Sequence, residues 1–304
     1  MAKTRVIPRE AAVPVHEANA LTGEVACWDE RISVLWWADI QGQRLLGFSP
    51  ENGRQETHNL PGMLGLIVLH ASGGLVLGLE DGLYSFNPAT GLGARLVAIE
   101  ADDPRTRVND GAVDTKGRLW FGTMDKTGSG DPIGSLYCLS IDGTLRRLQT
   151  KIRVPNTMSF SPDGRTFYWS DSRTRTVQAC DYNPESGEIG SSRAFVEYPE
   201  GASPDGSCVD AEGALWIAVV GGARLERRLP DGSVDTIVEL PVSRPTMPRL
   251  GGPDGRTLFV TSQRRFLNAE RLAREPLAGD LLMVRAEFVR AATSNLARVR
   301  SVAA

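Results

Sequence analysis

One short strand-and-turn unit recurs six times along this chain. Leu35-Trp36-Trp37-Ala38-Asp39, Leu75-Val76-Leu77-Gly78-Leu79, Leu119-Trp120-Phe121-Gly122-Thr123, Phe167-Tyr168-Trp169-Ser170-Asp171, Leu215-Trp216-Ile217-Ala218-Val219 and Leu258-Phe259-Val260-Thr261-Ser262 begin 40, 44, 48, 48 and 43 residues apart. Apolar runs this short cannot bury themselves alone, and a period near 45 built from them is the pattern of propeller blades, each a small four-stranded sheet packed on its neighbours. Six units account for the 304 residues. The expected fold is therefore all-β, one six-bladed β-propeller spanning 1–304, with a pair of β-sandwiches or a β-helix as the competing architecture. In such a ring, isolated polar side chains at equivalent places converge on the central axis.

The turns agree. Glu80-Asp81-Gly82, Asp142-Gly143, Asp163-Gly164, Asp231-Gly232 and Asp254-Gly255 read as two-residue hairpin corners, where glycine supplies positive φ. Paired strands follow several of the runs, as Leu83-Tyr84-Ser85-Phe86, Ser135-Leu136-Tyr137-Cys138-Leu139 and Thr176-Val177-Gln178-Ala179-Cys180. With 32 Gly and 18 Pro, long helices have little room. Ring closure calls for an N-terminal strand, either Arg5-Val6-Ile7 or Val13-Pro14-Val15, beside Asp280-Leu281-Leu282-Met283-Val284. The stretch from Arg285 to the end is left unassigned.

Several function classes are disfavoured. A net charge of −3 from 34 basic and 37 acidic residues gives no bulk attraction to nucleic acid. No segment before Glu24 reads as a signal peptide and no apolar run is long enough to span a bilayer, so the expectation is a cytoplasmic protein with no membrane contact. A closed ring leaves few free sheet edges, which favours a monomer. Cys27, Cys138, Cys180 and Cys208 lie far apart and read as reduced core thiols. Arg224, Arg227, Arg228, Arg264 and Arg265 read as solvated surface, with room for one at a pocket rim. Three histidines, His16, His58 and His70, leave little material for a Ser-His-Asp triad or a His-ligated metal. Catalytic groups should be oxygen donors.

Four segments then carry a family resemblance: Gly23-Glu24 followed by Trp28; Arg107-Val108-Asn109-Asp110-Gly111-Ala112-Val113-Asp114 leading to Gly117-Arg118-Leu119-Trp120-Phe121-Gly122-Thr123-Met124; Pro155-Asn156 to Asp171-Ser172; and Pro204-Asp205-Gly206 to Asp210-Ala211-Glu212-Gly213-Ala214-Leu215-Trp216. In order and spacing, from about residue 20 to about residue 284, the chain resembles the senescence marker protein, gluconolactonase and luciferin-regenerating enzyme-like family. Two positions depart from the family pattern. Val25-Ala26 stands where Gly-Pro is usual, and Thr157 where a glycine is expected; both add side chains beside the metal position, which points to a narrower pocket or a shifted substrate preference.

The resemblance implies one divalent cation at the top of the central channel, held by the carboxylates of Glu24 and Asp205 and the amide oxygen of Asn156, with Asn109 close by and Arg107 aimed at substrate oxygens. Oxygen donors from three blades suit a hard cation and leave positions open. Calcium comes first among the metals, with zinc, magnesium, manganese or iron as alternatives. The implied chemistry is hydrolysis of a small-molecule sugar lactone, gluconolactone or a pentonolactone, to the aldonic acid. The cation polarises the carbonyl, Arg107 and Asn109 hold ring hydroxyls, and Asp205 is the proposed base, either through its free oxygen or displaced in that role by hydroxide on the cation. Ser207 and Cys208 are the nearest candidate nucleophiles, and no histidine accompanies them. Alternatives are a phosphotriesterase or aryl-ester hydrolase at the same site, a non-catalytic calcium-binding propeller, and a metal-free lyase-type propeller. Loops 124–130 and 264–275, the second with a short helix from Asn268 through Ala273, are expected over the channel mouth.

Overall fold

The structure, a computed structural model, describes residues 4–299. Six sheets stand around a central channel. The inner strands of the blades are Gly23–Asp29, Leu66–Leu69, Thr106–Val113, Pro155–Phe160, Ser203–Val209 and Pro245–Gly251. Each pairs antiparallel with the strand holding the repeated run: Val34–Asp39, Leu75–Gly78, Leu119–Asp125, Thr166–Asp171, Leu215–Val220 and Thr257–Ser262. These second strands are sandwiched between neighbouring blades and bury the largest side chains, among them Trp36, Trp120, Trp216, Tyr168 and Phe259. Truncating one such aromatic would cost about 3–5 kcal/mol.

Both N-terminal candidates are strands, in different blades. Val13–His16 pairs with Leu281–Arg285 and completes blade six, whereas Arg5–Ile7 adds a fifth strand, parallel, beside Val234–Glu239 of blade five. The outer strand of the last blade is thus supplied by the start of the chain. The unassigned C-terminal stretch crosses beneath the ring: Ala291 bridges Asp210, Ala297 bridges His70, and Asn295 Nδ2 donates to Val113 O at 2.9 Å. Residues 300–304 lie outside the described residues.

Two expectations need correction. The corners at Asp142-Gly143 and Asp231-Gly232 are three-residue loops: Gly143 N donates to Ser140 O, Gly232 N to Leu229 O, and the pairing resumes one residue later. Only the glycine has positive φ (91° at Gly143, 89° at Gly232), while Asp142 and Asp231 cap the loop by accepting from the amide two residues on; this is a type I turn closed by a bulge glycine. Gly82 does not adopt positive φ at all. The arginines of blade five are not solvated either. Arg227 is buried among Asp210, Glu212 and Asp235, and Arg224 and Arg228 both clasp Glu226. All four cysteines are free and buried.

Candidate active site and metal centre

The inner strands are bent, not regular, at the positions that matter. Register breaks fall between Glu24 and Cys27, Asn109 and Gly111, Asn156 and Ser159, and Pro204 and Ser207. The residue after each of the first three polar groups is left-handed: Val25 at φ 48°, Asp110 at 48° and Thr157 at 62°. A bulge re-aims the side chain beside it, and this repeated bulge turns the polar groups of blades one, three and four toward the axis. Left-handed backbone at a β-branched residue costs about 1–2 kcal/mol, which explains why glycine is usual at positions 25 and 157. The expectation that Val25 and Thr157 narrow the pocket is not met. Val25 packs into the core between blades one and two, and Thr157 is fully buried, its hydroxyl donating to Asp205 O at 2.6 Å and meeting Ser170 Oγ at 2.9 Å. Thr157 spans the seam between blades four and five and fixes the backbone of Asp205.

The five sequence-nominated residues meet in one cavity of about 590 Å³, lined by Glu24, Arg107, Asn109, Asn156 and Asp205 together with Ser172, Arg173, Arg175, Arg244, Gln263, Arg265 and Phe266. Neither Asn156 nor Asp205 is at a turn; both lie inside strands. Arg107 Nη1 donates to Asn109 Oδ1 at 2.7 Å, Asn109 Nδ2 to Asn156 Oδ1 at 3.0 Å, and Asn156 Nδ2 to Asp205 Oδ1 at 2.6 Å. The chain of contacts therefore runs across blades three, four and five. Asn156 Nδ2 also reaches Ser172 Oγ at 2.9 Å, and that hydroxyl donates to Pro204 O. A Cβ on Gly65 would stand 2.8 Å from Arg107 Nη1 and 2.0 Å from Val108 O, so only glycine lets blade two approach this guanidinium. Blade two contributes no polar group here, because Leu66–Leu69 is wholly apolar.

The electrostatics are those of a site short of positive charge at its floor. Burial, then the charges of Asp205 and Asp110, push the Glu24 carboxyl well above the ordinary range. Burial, then Asp110, push Asp205 up to about 8, and burial pushes Asp110 up to about 6. Glu24 Oε2 accepts from Val25 N while Oε1 is buried without a partner. An orphaned carboxylate oxygen beside a second unneutralised carboxylate fits a cation. The donor set is two carboxylates and an amide; among the described residues no three His, Cys, Asp or Glu side chains meet to hold a metal. Asn156 at present turns its nitrogen toward Asp205, so serving as an oxygen ligand needs a half-turn of its terminal amide.

Sequence reasoning missed Asp110, Ser172 and Arg244 as site residues. Asp110 sits inside a motif already singled out, one residue past Asn109, and its carboxylate accepts from Met158 N at 2.9 Å across the blade three to four seam. The other end of the same motifs does different work: Asp114 and Asp210 accept the amides of their hairpins and engage Arg118 and Arg227. The loops match expectation in part. Met124, Arg265 and Phe266 line the cavity, but Asp125 folds the rest of its loop back by accepting from Thr127, Ser129 and Gly130. The helix Ala269–Arg274, capped by Asn268, flanks a separate groove beside the mouth. Ser207 is buried against Ser159 Oγ at 2.8 Å, and burial raises the Cys208 thiol to about 11; neither is an activated nucleophile. No helix among the described residues is long and apolar enough to cross a membrane.

The family model described as SMP-30/Gluconolactonase/LRE-like region matches residues 22–264. The chain is 35% identical to 6-deoxy-6-sulfogluconolactonase of Pseudomonas putida, covering 88% of this chain and 91% of that protein, and 35% identical to L-arabinolactonase of Azospirillum brasilense, covering 96% and 98%. Its structure superposes on that of regucalcin, a calcium-binding protein from Agrobacterium tumefaciens, with a TM-score of 0.91 at 29% identity, covering 98% and 100%. With four motifs, six blades and a family match over most of its length, the chain belongs to the SMP-30/gluconolactonase/LRE-like family.

Proposed function

We propose that the protein is a metal-dependent sugar lactone hydrolase. The observation that carries this reading is the meeting of Glu24, Asn156 and Asp205 from three blades at the floor of one open cavity, with Glu24 Oε1 buried and unpartnered. Relatives named as lactonases, at 35% identity over most of both chains, support it. Glu24, Asn156 and Asp205 would hold one divalent cation, calcium first among the candidates. When bound, it supplies positive charge that polarises an ester carbonyl.

The remaining work falls to side chains. Burial lowers the Arg107 guanidinium only to about 10, so it stays charged at neutral pH. With Nη1 engaged by Asn109 Oδ1 and Val108 O, its other N–H groups are free to hold ring oxygens. Asn109 is held by Arg107 Nη1 and by Pro155 O at 2.8 Å, which presents a preorganised wall to the sugar. With one Asp205 oxygen given to the cation, the other would accept a proton from the attacking water. Water oxygen bonds to the carbonyl carbon, the ring C–O bond breaks, and the proton passes to the departing alkoxide. That oxygen stays tethered in the product, so a modest apparatus suffices, and no covalent nucleophile is required.

The test is proton release from a panel of aldonolactones by chelator-stripped protein reconstituted with each divalent cation, beside Asp205→Ala. Cation-dependent turnover that the substitution abolishes is expected. If no lactone is hydrolysed above its spontaneous rate with any cation, the reading fails and screening of phosphotriesters and aryl esters takes its place.

A further inference from the structure

Arg107, Arg173, Arg175, Arg244 and Arg265 line the upper cavity, against two carboxylates, Glu24 and Asp205, on the same wall. None of the five forms an ion pair among the described residues, in contrast to Arg224, Arg227 and Arg228 of blade five, which are all tied to carboxylates. A divalent cation at Glu24 and Asp205 would balance those two charges, leaving the cavity arginines without a carboxylate in ion-pair contact. Arg244 precedes the inner strand of blade six and its Nε is buried without a partner. Arg265 follows the second strand of the same blade. Between them stands Phe266, 63% exposed, with the Arg244 guanidinium carbon 5.2 Å and the Arg265 carbon 5.0 Å from its ring centre. An aromatic ring this exposed gains little from burial, but it can hold two guanidinium groups in place by cation–π attraction. Arg265 is also near enough for its charge to oppose that of Arg107.

Resting on the lactonase reading, we propose that Arg244 and Arg265, steadied by Phe266, form an anion subsite at the cavity mouth, and that the preferred substrate is a sugar lactone bearing a negatively charged substituent remote from its ester. A neutral polyol offers hydroxyls that need acceptors as well as donors, and the mouth presents guanidinium donors. A phosphate, sulfonate or carboxylate matches the forked geometry of arginine and neutralises the like charges gathered around Phe266. The same field draws an anionic substrate in from solution.

The experiment compares kcat/KM for a six-carbon aldonolactone with that for the same ring carrying phosphate, sulfonate or carboxylate at its exocyclic carbon, at low and high salt. At least one anionic lactone is expected to exceed the neutral one by about tenfold or more at low salt, as charge-assisted hydrogen bonds allow, with the advantage shrinking as salt rises. The ratio of anionic to neutral turnover should fall by about tenfold in Arg244→Gln and in Arg265→Gln. Because Arg265 is exposed, its variant serves even if Arg244→Gln fails to fold. Equal use of neutral and charged lactones, or a ratio that survives both substitutions, overturns the subsite while leaving the lactonase reading intact. If no lactone of either kind is hydrolysed, that reading falls, and equilibrium binding of hexose 6-phosphate against hexose decides the subsite alone: tighter binding of the phosphate, lost in Arg265→Gln, supports it, and equal binding overturns it.

Discussion

The two ends of the central channel are made by the same inner strands and enclose nearly equal spaces, about 590 Å³ above and about 560 Å³ below. Volume does not tell them apart; buried carboxylates do. The upper end gathers Glu24, Asn109, Asn156 and Asp205 with unpaired arginines. The lower end is lined by Cys27, Trp28, Val113, Met158, Phe160 and Cys208 together with Arg249 and Arg290, which donate to the carbonyls of Ala26 and Asp254; it has no carboxylate, and the C-terminal strap passes beneath it. Burying an unneutralised carboxylate is costly, and the fold accepts that cost at one end only. A site is therefore marked here by unsatisfied charge held in place by strained backbone, not by the presence of a hole.

The sharpest break of the comparison is Asp205→Ala, expected to lower kcat by about 10³-fold or more while leaving the fold intact; single-turnover assays beside circular dichroism read both. Ala297→Asp should do the reverse. It puts a charge into the apolar seam of blades two and three, where Ala297 is fully buried, and should lower stability by about 3 kcal/mol in urea titration with kcat per folded molecule unchanged. If that variant loses activity in proportion to Asp205→Ala, the two ends are not independent.

A smaller effect follows from pH. The Asp205 carboxyl is raised in the folded protein to about 8, so between about pH 4 and 8 the folded state holds a proton that the unfolded chain has released. Metal-free protein accordingly loses stability as pH rises through that window, whereas a bound cation displaces the proton. The rise in Tm on adding cation should grow from about pH 5 to about pH 8; a rise that is flat or shrinks with pH would count against Asp205 as a ligand. Smallest is Thr157→Val, which removes the hydroxyl bonded to Asp205 O and Ser170. It is expected to cost about 1–3 kcal/mol of stability and about tenfold in kcat, whereas Thr157→Ser should behave as the native protein does.

Much of this was legible in the chain. The six apolar runs are the second strands of six blades, and Glu24, Arg107, Asn109, Asn156 and Asp205 converge as the family motifs implied. What was missed has a common cause. Arg227 looked like surface because its partners lie apart from it in the chain, Asp210 and Glu212 in the preceding hairpin turn and Asp235 in the next strand, and Thr157 looked like an intruder in the pocket because its left-handed φ, which turns it toward the next blade, is not visible in the sequence. The arginines at the mouth belong to blades three, four and six, and no local pattern groups them.

By itself the sequence determined the repeat, the hairpin punctuation and the identity of the polar groups, since these depend on local propensity and on the period of burial. Only the tertiary structure decided which end of each inner strand became the site, which N-terminal segment closes the ring, and which charges are neutralised. Those outcomes depend on contacts between residues tens to hundreds of positions apart, whose energies exist only once the blades have closed around one axis.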